Sequence, residues 1–205
     1  MKVTEMNFRD MYHKVCFIIT PDKLLEHIAN DFPHDNECNG ILTYGYIDYQ
    51  VGFTFELLAR GRFCENRLTY FSGNDTVSSK FRFSSVTDCD IFVLDNQAKP
   101  LKEFSNKITN INDNYRVNDL IEALRFEEIL DSSRNQMFPD DILVYLISEK
   151  NQPEGCWVRC KEISNGQLFG ILLNEPNQDF GIHNGDKIQI SIQQTNEDFV
   201  CLYIA

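Results

Sequence analysis

Catalytic signatures are what this chain of 205 residues has least of. There is no G-x-S-x-G elbow, no H-E-x-x-H helix and no glycine-rich phosphate loop, and histidine occurs only four times. The local apparatus for nucleophilic hydrolysis, zinc proteolysis and nucleotide phosphate binding is therefore missing, which argues against an enzyme and against a cofactor. Long apolar runs are also missing. The first ten residues carry charges and no apolar core, and Val15-Cys16-Phe17-Ile18-Ile19 is far too short for a signal core or a membrane span. The seven cysteines, at 16, 38, 64, 89, 156, 160 and 201, are odd in number and follow no scaffold spacing. A disulfide framework is thereby disfavoured, and a reducing, cytoplasmic setting is expected.

Basic residues are scarce as well: nineteen against thirty-one acids, a formal net charge of −12. That excess repels nucleic acid at long range and favours solubility and cationic partners. It is spread through the chain, with 22 acids and 15 bases in residues 1–140 and 9 against 4 in residues 141–205. What the chain does have is apolar material: a hydrophobic fraction of 42% with sixteen Phe, enough to build a core without staples. Its length suits two small domains better than one large one.

Residues 15–19 read as a strand, and Thr20-Pro21-Asp22 supplies an N-cap, a first-turn proline and a first-turn acid for a helix carrying Leu24, Leu25 and Ile28. Asn30-Asp31-Phe32-Pro33 should stop that helix. From 41 to 94 the period becomes two. Val51, Phe53, Phe55, Leu57, Ala59 and Phe63 share one parity and Thr54, Glu56, Arg60 and Arg62 the other, as in a half-buried strand. Segments 41–49, 67–71, 80–83 and 91–94 complete an antiparallel sheet, with turns at Ser72-Gly73-Asn74-Asp75 and around Asp88. A second helix is expected over 113–134 from Val117, Leu120, Ile121, Leu124 and Ile129, helices covering one face of the sheet, with a domain boundary near Pro139. Strands at 142–147, 157–163, 167–173, 187–192 and 199–204 then suggest a small β-barrel or rolled sheet, its firmest signal the Asn165-Gly166 hairpin. The expected fold is α+β: an antiparallel sheet with two helices over 1–140, then a small all-β domain over 141–205.

Trp157-Val158-Arg159, Asn165-Gly166, Gly170-Ile171-Leu172-Leu173-Asn174-Glu175-Pro176, Gly181 and Gly185-Asp186 together resemble the small bacterial YegJ-like domain. That domain is similar to barrels found among polymorphic-toxin immunity proteins. The resemblance covers the last third of the chain, and the family carries no agreed catalytic residues. It implies a cytoplasmic binding protein that neutralises a cationic toxin by occlusion. Trp157 would be an aromatic anchor beside Asn174, Glu175, Asp179 and Phe180, and an acidic inhibitor gains association rate against a cationic target. A structural reading stands beside it: Pro176 ends a strand, Gly185 supplies a positive φ and Asp186 bonds its own turn.

His27, His34 and Cys38 are the nearest approach to a metal cluster, but no further Cys/His pair completes a zinc set. Cys156 and Cys160, about 13 Å apart on an extended strand, read as buried thiols. Cys38 could pair in space with His13 or His34 as a nucleophile and base. Arg60, Arg62, Arg67, Lys80 and Arg82 form the one cationic concentration, answered nearby by Glu65 and Asp75. If their strands adjoin, four of these cations share a face opposite Phe63, Phe81 and Phe83. The alternatives are a solvated face paired with acids such as Glu56, or a nucleic-acid or anionic-ligand surface with Tyr44, Tyr46 and Tyr70 for stacking. A homo-oligomer held by the barrel is a third functional reading.

Overall fold

The period-two stretch forms the middle of an antiparallel sheet built from β1 (Val15–Ile19), β2 (Gly40–Asp48), β3 (Gly52–Cys64), β4 (Arg67–Tyr70), β5 (Lys80–Arg82) and β6 (Asp90–Val93). Its order is β4-β3-β2-β1-β6, and β5 pairs with the first half of β3 while β4 pairs with the second. This computed structural model describes residues 1–26, 28, 32–65, 67–71, 76–94, 99–196 and 198–205. The expected turn at Ser72-Gly73-Asn74-Asp75 and the helix stop at Asn30-Asp31 fall outside them.

The chain divides into two compact units, Met1–Arg116 and Val117–Ala205. In the first, both faces of the sheet are covered. One carries Cys16, Ile18, Ile41, Phe53, Phe55 and Leu57 under the N-terminal segments α1 (Phe8–Met11) and α2 (Asp22–Glu26). The other carries Val15, Phe17, Leu42, Tyr44, Tyr46, Leu58 and Ala59 against Phe104, Ile108 and Ile111, contributed by α4 (Ser105–Asn114) and its N-cap, which follow α3 (Lys99–Glu103). This corrects the half-buried reading of β3: Thr54, Glu56 and Arg60 are buried too.

Burying Glu56 demands a partner, and Lys107 of α4 supplies it. Its ammonium lies 3.4 Å from Glu56 Oε1 and donates to the carbonyls of Leu57 and Val77 at 2.9 and 2.8 Å. Ser78 Oγ donates to the other carboxylate oxygen at 3.2 Å. The amine sits where β3 makes a β-bulge: Leu42 pairs with Ala59 and Thr43 with Leu57, leaving Leu58 extra. The extra residue bends the strand and flips its parity beyond this point. It is also the stretch of β3 edge between β5 and β4, where a carbonyl would otherwise lack a partner.

The helix expected over 113–134 is corrected to three shorter pieces. α4 ends at Asn114, Asn118 Oδ1 accepts the Ile121 N–H at 2.9 Å and starts α5 (Asp119–Arg125), and a 3-10 segment spans Glu128–Ser133. These last two pieces belong to the second unit, so its start precedes the expected 141 by 24 residues. Arg125, fully buried, grips Asp140 through both carboxylate oxygens at 2.9 and 2.7 Å. Arg134 donates to the carbonyls of Leu124 and Pro139.

The five expected strands of this unit are present as β7 (Asp141–Ile147), β8 (Glu154–Ser164), β9 (Gln167–Leu172), β10 (Lys187–Gln194) and β11 (Phe199–Ile204). They close as β10-β11-β7-β8-β9, the one parallel contact, β11 with β7, sealing the barrel. Asn165 and Gly166 have φ of 52 and 76°, the two left-handed residues that a two-residue hairpin turn requires. Among the described residues no helix is long and apolar enough to cross a membrane.

Lys107→Met should destabilise the protein by about 3 kcal/mol, because it strands a buried carboxylate and two carbonyls. Adding Glu56→Gln should restore part of that loss. Urea denaturation of the three variants measures both, and an unchanged midpoint for Lys107→Met would show the pair to be energetically idle.

Candidate functional site

As far as Cys160, β7 and β8 alternate, sending Ile142, Val144, Leu146, Cys156, Val158 and Cys160 inward; a register shift against β9 between Cys160 and Glu162 then interrupts β8. The outward parity of β7 and β8 is not uniformly polar. Leu143 pairs with Trp157 and Tyr145 with Gly155, and Tyr145 and Trp157 remain 39% and 37% exposed. A Cβ on Gly155 would stand 3.2 Å from Leu143 Cδ1 and 3.7 Å from Tyr145 Cε1, so both side chains lie across the bare backbone of that glycine. The result is a small apolar plateau. Arg159, next outward on β8, is clamped by Asp141 at 2.7 and 2.9 Å.

The backbone under Trp157 is fixed on both sides of its peptide. Its N–H donates to Asn174 Oδ1 at 2.8 Å, and its carbonyl accepts from Leu173 N at 2.8 Å. The Asn174 side chain thus continues the β8–β9 ladder where the chain turns away. Its amide nitrogen reaches Cys156 Sγ at 3.2 Å. Trp157 and Asn174 are therefore brought together as expected.

Glu175, Asp179 and Phe180 follow on the loop 173–186 with different duties. Glu175 is exposed, but one oxygen bonds His183 Nδ1 at 2.7 Å and the other accepts Asn184 N–H at 2.8 Å. Asp179 Oδ1 accepts from Gly181 N at 2.9 Å, and its carbonyl accepts from the Asn151 amide. Phe180 is corrected: at 4% exposure it packs inward, pinning the loop instead of offering a contact. Gly185 has a positive φ of 93° and Asp186 Oδ2 accepts from His183 N at 2.7 Å, both as expected of a structural turn. Sequence reasoning missed Tyr145 and Leu143. The signal was available in the parity of 142–147, where every second residue should face out.

The five cations do not form one surface. Lys80 and Arg82 pair with Glu56 and Thr54, so they lie on the α4 face, where Lys80 donates to Tyr115 Oη at 2.7 Å and Arg82 to Thr54 Oγ1 at 2.5 Å. Arg60 pairs with Ile41 and lies on the opposite face, as does Arg62 by parity. The bulge at Leu58 is the cause. Arg62 is paired with Glu37, Arg67 is exposed, and Asp75 falls outside the described residues. Arg60 is 5% exposed, and among the described residues its Nε and Nη1 have no hydrogen-bond partner. The tyrosines expected to stack on bases are otherwise engaged: Tyr44 and Tyr46 are buried, and Tyr70 donates to Glu103 at 2.9 Å.

Desolvation by burial pushes the Cys16 and Cys160 thiols up to about 12, and raises Cys38, Cys89, Cys156 and Cys201 as well. Such thiols stay protonated at neutral pH and are poor nucleophiles. Cys156 and Cys160 are buried thiols, as read from the sequence. The His34 ring bonds the Phe32 carbonyl at 3.1 Å and His13 packs on Tyr12 with centroids 4.0 Å apart. His27 falls outside the described residues, among which no three His, Cys, Asp or Glu converge as a metal site.

The Asn184 N–H and then His183 hold Glu175 below the usual carboxylate range, and the hydrogen bond to Glu175 raises His183. The imidazolium contribution is whole below the ordinary imidazole value and fades as pH rises through the raised one. The carboxylate contribution is whole above the ordinary carboxylate value and fades as pH falls through the depressed one. The loop contact is therefore complete at mildly acidic pH. In an NMR titration, Glu175→Gln should lower the His183 midpoint; an unmoved midpoint would mean that the two side chains do not meet in solution.

With this geometry in view, no protein-family model, curated protein or solved structure matches the chain.

Proposed function

We propose that the chain is a non-catalytic binding protein that takes a cationic protein partner on the barrel face around Trp157 and Tyr145. The observation that carries this reading is the pair of exposed aromatics on adjacent strands, seated on a glycine and on a backbone that Asn174 and Leu173 hold rigid. Preorganised aromatic anchors lose little conformational freedom on binding and dominate interface energetics. Glu154 opens β8, Glu175 and Asp179 lie on the loop 173–186, and the net charge of −12 steers a basic partner. A toxin whose active site is occluded is the partner class that suits such a face, in line with the immunity-protein resemblance.

The test is capture from native lysate with the tagged chain, followed by a toxicity-rescue assay with the captured protein. A basic partner should survive moderate salt with the wild type and be lost, or weakened by a factor of about 30 or more, with Trp157→Ala. Glu175→Gln should chiefly slow association. Equal capture by Trp157→Ala would remove this face from the interface.

A second reading is favoured by one observation, the buried guanidinium of Arg60 with two nitrogens that have no partner among the described residues. A small anion there would satisfy it, which narrows the anionic-ligand reading from a five-residue strip to one corner of the first unit. Inorganic phosphate should then raise the wild-type melting temperature and leave Arg60→Met unmoved. If phosphate shifts neither protein, the guanidinium is simply an uncompensated buried group, and Arg60→Met should be neutral or stabilising.

A further inference from the structure

β10 changes neighbours halfway along. Lys187–Ile190 pair with β9, whereas Ser191–Gln194 pair with β11. The alternation of an antiparallel ladder determines which way each peptide points. The two-residue turn Asn165-Gly166 makes Ser164 and Gln167 a bonded pair, so Gln167 faces β8 and Leu168 faces β10. Leu172, of the same parity as Leu168, does bond on the β10 side, donating to Asp186 O at 2.9 Å and accepting from Gly185 N at 2.8 Å. Leu168 faces Ile190, so Ile190 aims its N–H and C=O at β9. Ile192 and Gln194 aim theirs the same way. At the far end Thr195 N donates to Asp198 O at 2.7 Å, confirming that the opposite parity faces β11.

β9, however, begins at Gln167, and no strand residue lies opposite Ile192 or Gln194 on that side. Among the described residues, no hydrogen bond reaches either backbone from there. Ile192, at the start of this free edge, lines a groove of about 450 Å³ together with Leu124, Ile129, Leu130, Ile163 and Leu168. Gln167, Gln189 and Ser191 are its uncharged polar residues, and Gln194 follows just beyond it along the strand. Ile163 and Ile192 are exposed. Glu127 is the charged residue in the lining.

We infer that this groove binds an extended peptide segment of a partner, added as a further strand along the free edge at Ile192 and Gln194. Unpaired backbone donors and acceptors call for another backbone, and the apolar lining calls for alternate apolar side chains pointing into it. Glu127, on a chain of net charge −12, calls for a lysine or arginine at one end of the segment. A second copy of the chain would bring the same negative charge to the same edge, so a cationic segment is the better complement. This surface is separate from the Trp157 face and does not depend on it.

The probe is a set of random nine-residue peptides displayed on phage and panned on the full chain. Selected peptides should alternate apolar residues and carry a basic one. Their Kd should weaken about tenfold or more with Gln194→Pro, whose lost N–H takes no part in the β10–β11 ladder, and should be untouched by Trp157→Ala. Peptides N-methylated at alternate residues should lose binding to the unaltered protein, which keeps the test independent of how Gln194→Pro folds. Hydrogen exchange at Ile192 and Gln194 should slow on binding. Failure to enrich any peptide overturns the inference, as does equal binding by N-methylated peptides. A free chain that sediments as a dimer with these two amides already protected would give the edge to a second copy and overturn it too.

Discussion

The first unit depends on one extra residue. Leu58 interrupts the β2–β3 register, and everything on β3 beyond it faces the opposite way from what simple alternation dictates. The same bend opens the outer edge between β5 and β4, and it is there that Lys107 enters to bond the Leu57 and Val77 carbonyls and neutralise Glu56. A bulge, a buried ion pair and a helix position are thus one arrangement. Without the amine, the carboxylate could not be buried under α4, and the Leu57 carbonyl beside the bulge would lose its partner.

The second unit is governed by closure. The strands of the five-stranded ring send Ile, Val, Leu and Cys inward, with Gly170 where a Cβ would meet Val158 Cγ1 at 2.4 Å. Two places on this unit stand out. At one place the outward parity carries aromatics over Gly155, with the loop 173–186 supplying Asn174 to finish the ladder. At another, β9 starts too late to cover the second half of β10, and the helical segment from α5 onward leaves a groove beside it. Arg125 and Arg134 tie that segment down through bonds to Asp140 and to backbone carbonyls.

Much of the fold was legible in the chain. Strand positions from 15 to 94 and from 142 to 204 followed from alternation, and the Asn165-Gly166 turn from the need for two left-handed residues. Helices were harder. α4 has few apolar residues, and its Lys107 looks like a solvent residue until its buried partners are known. The apolar stripe over 117–129 was real for Ile121 and Leu124, yet Leu120 stays exposed because Asn118 restarts the helix at a phase the stripe alone does not define. At the candidate site, the nearness of Trp157 to Asn174 was legible, but the burial of Phe180 was not, because an aromatic on a polar loop gives no sign of which way it points.

Composition and periodicity by themselves determined the α+β class, the barrel strands and the thiol character of the cysteines, because burial patterns and turn chemistry are local and repeat along the chain. The tertiary structure decided which faces those patterns meet. It separated Arg60 and Arg62 from Lys80 and Arg82, moved the helix of 119–125 from the sheet to the barrel, set Tyr145 beside Trp157 and left the edge at Ile192 open. Each of those outcomes turns on register or on a contact between distant segments, and a one-residue shift in register reverses a side chain's face without changing the sequence pattern at all.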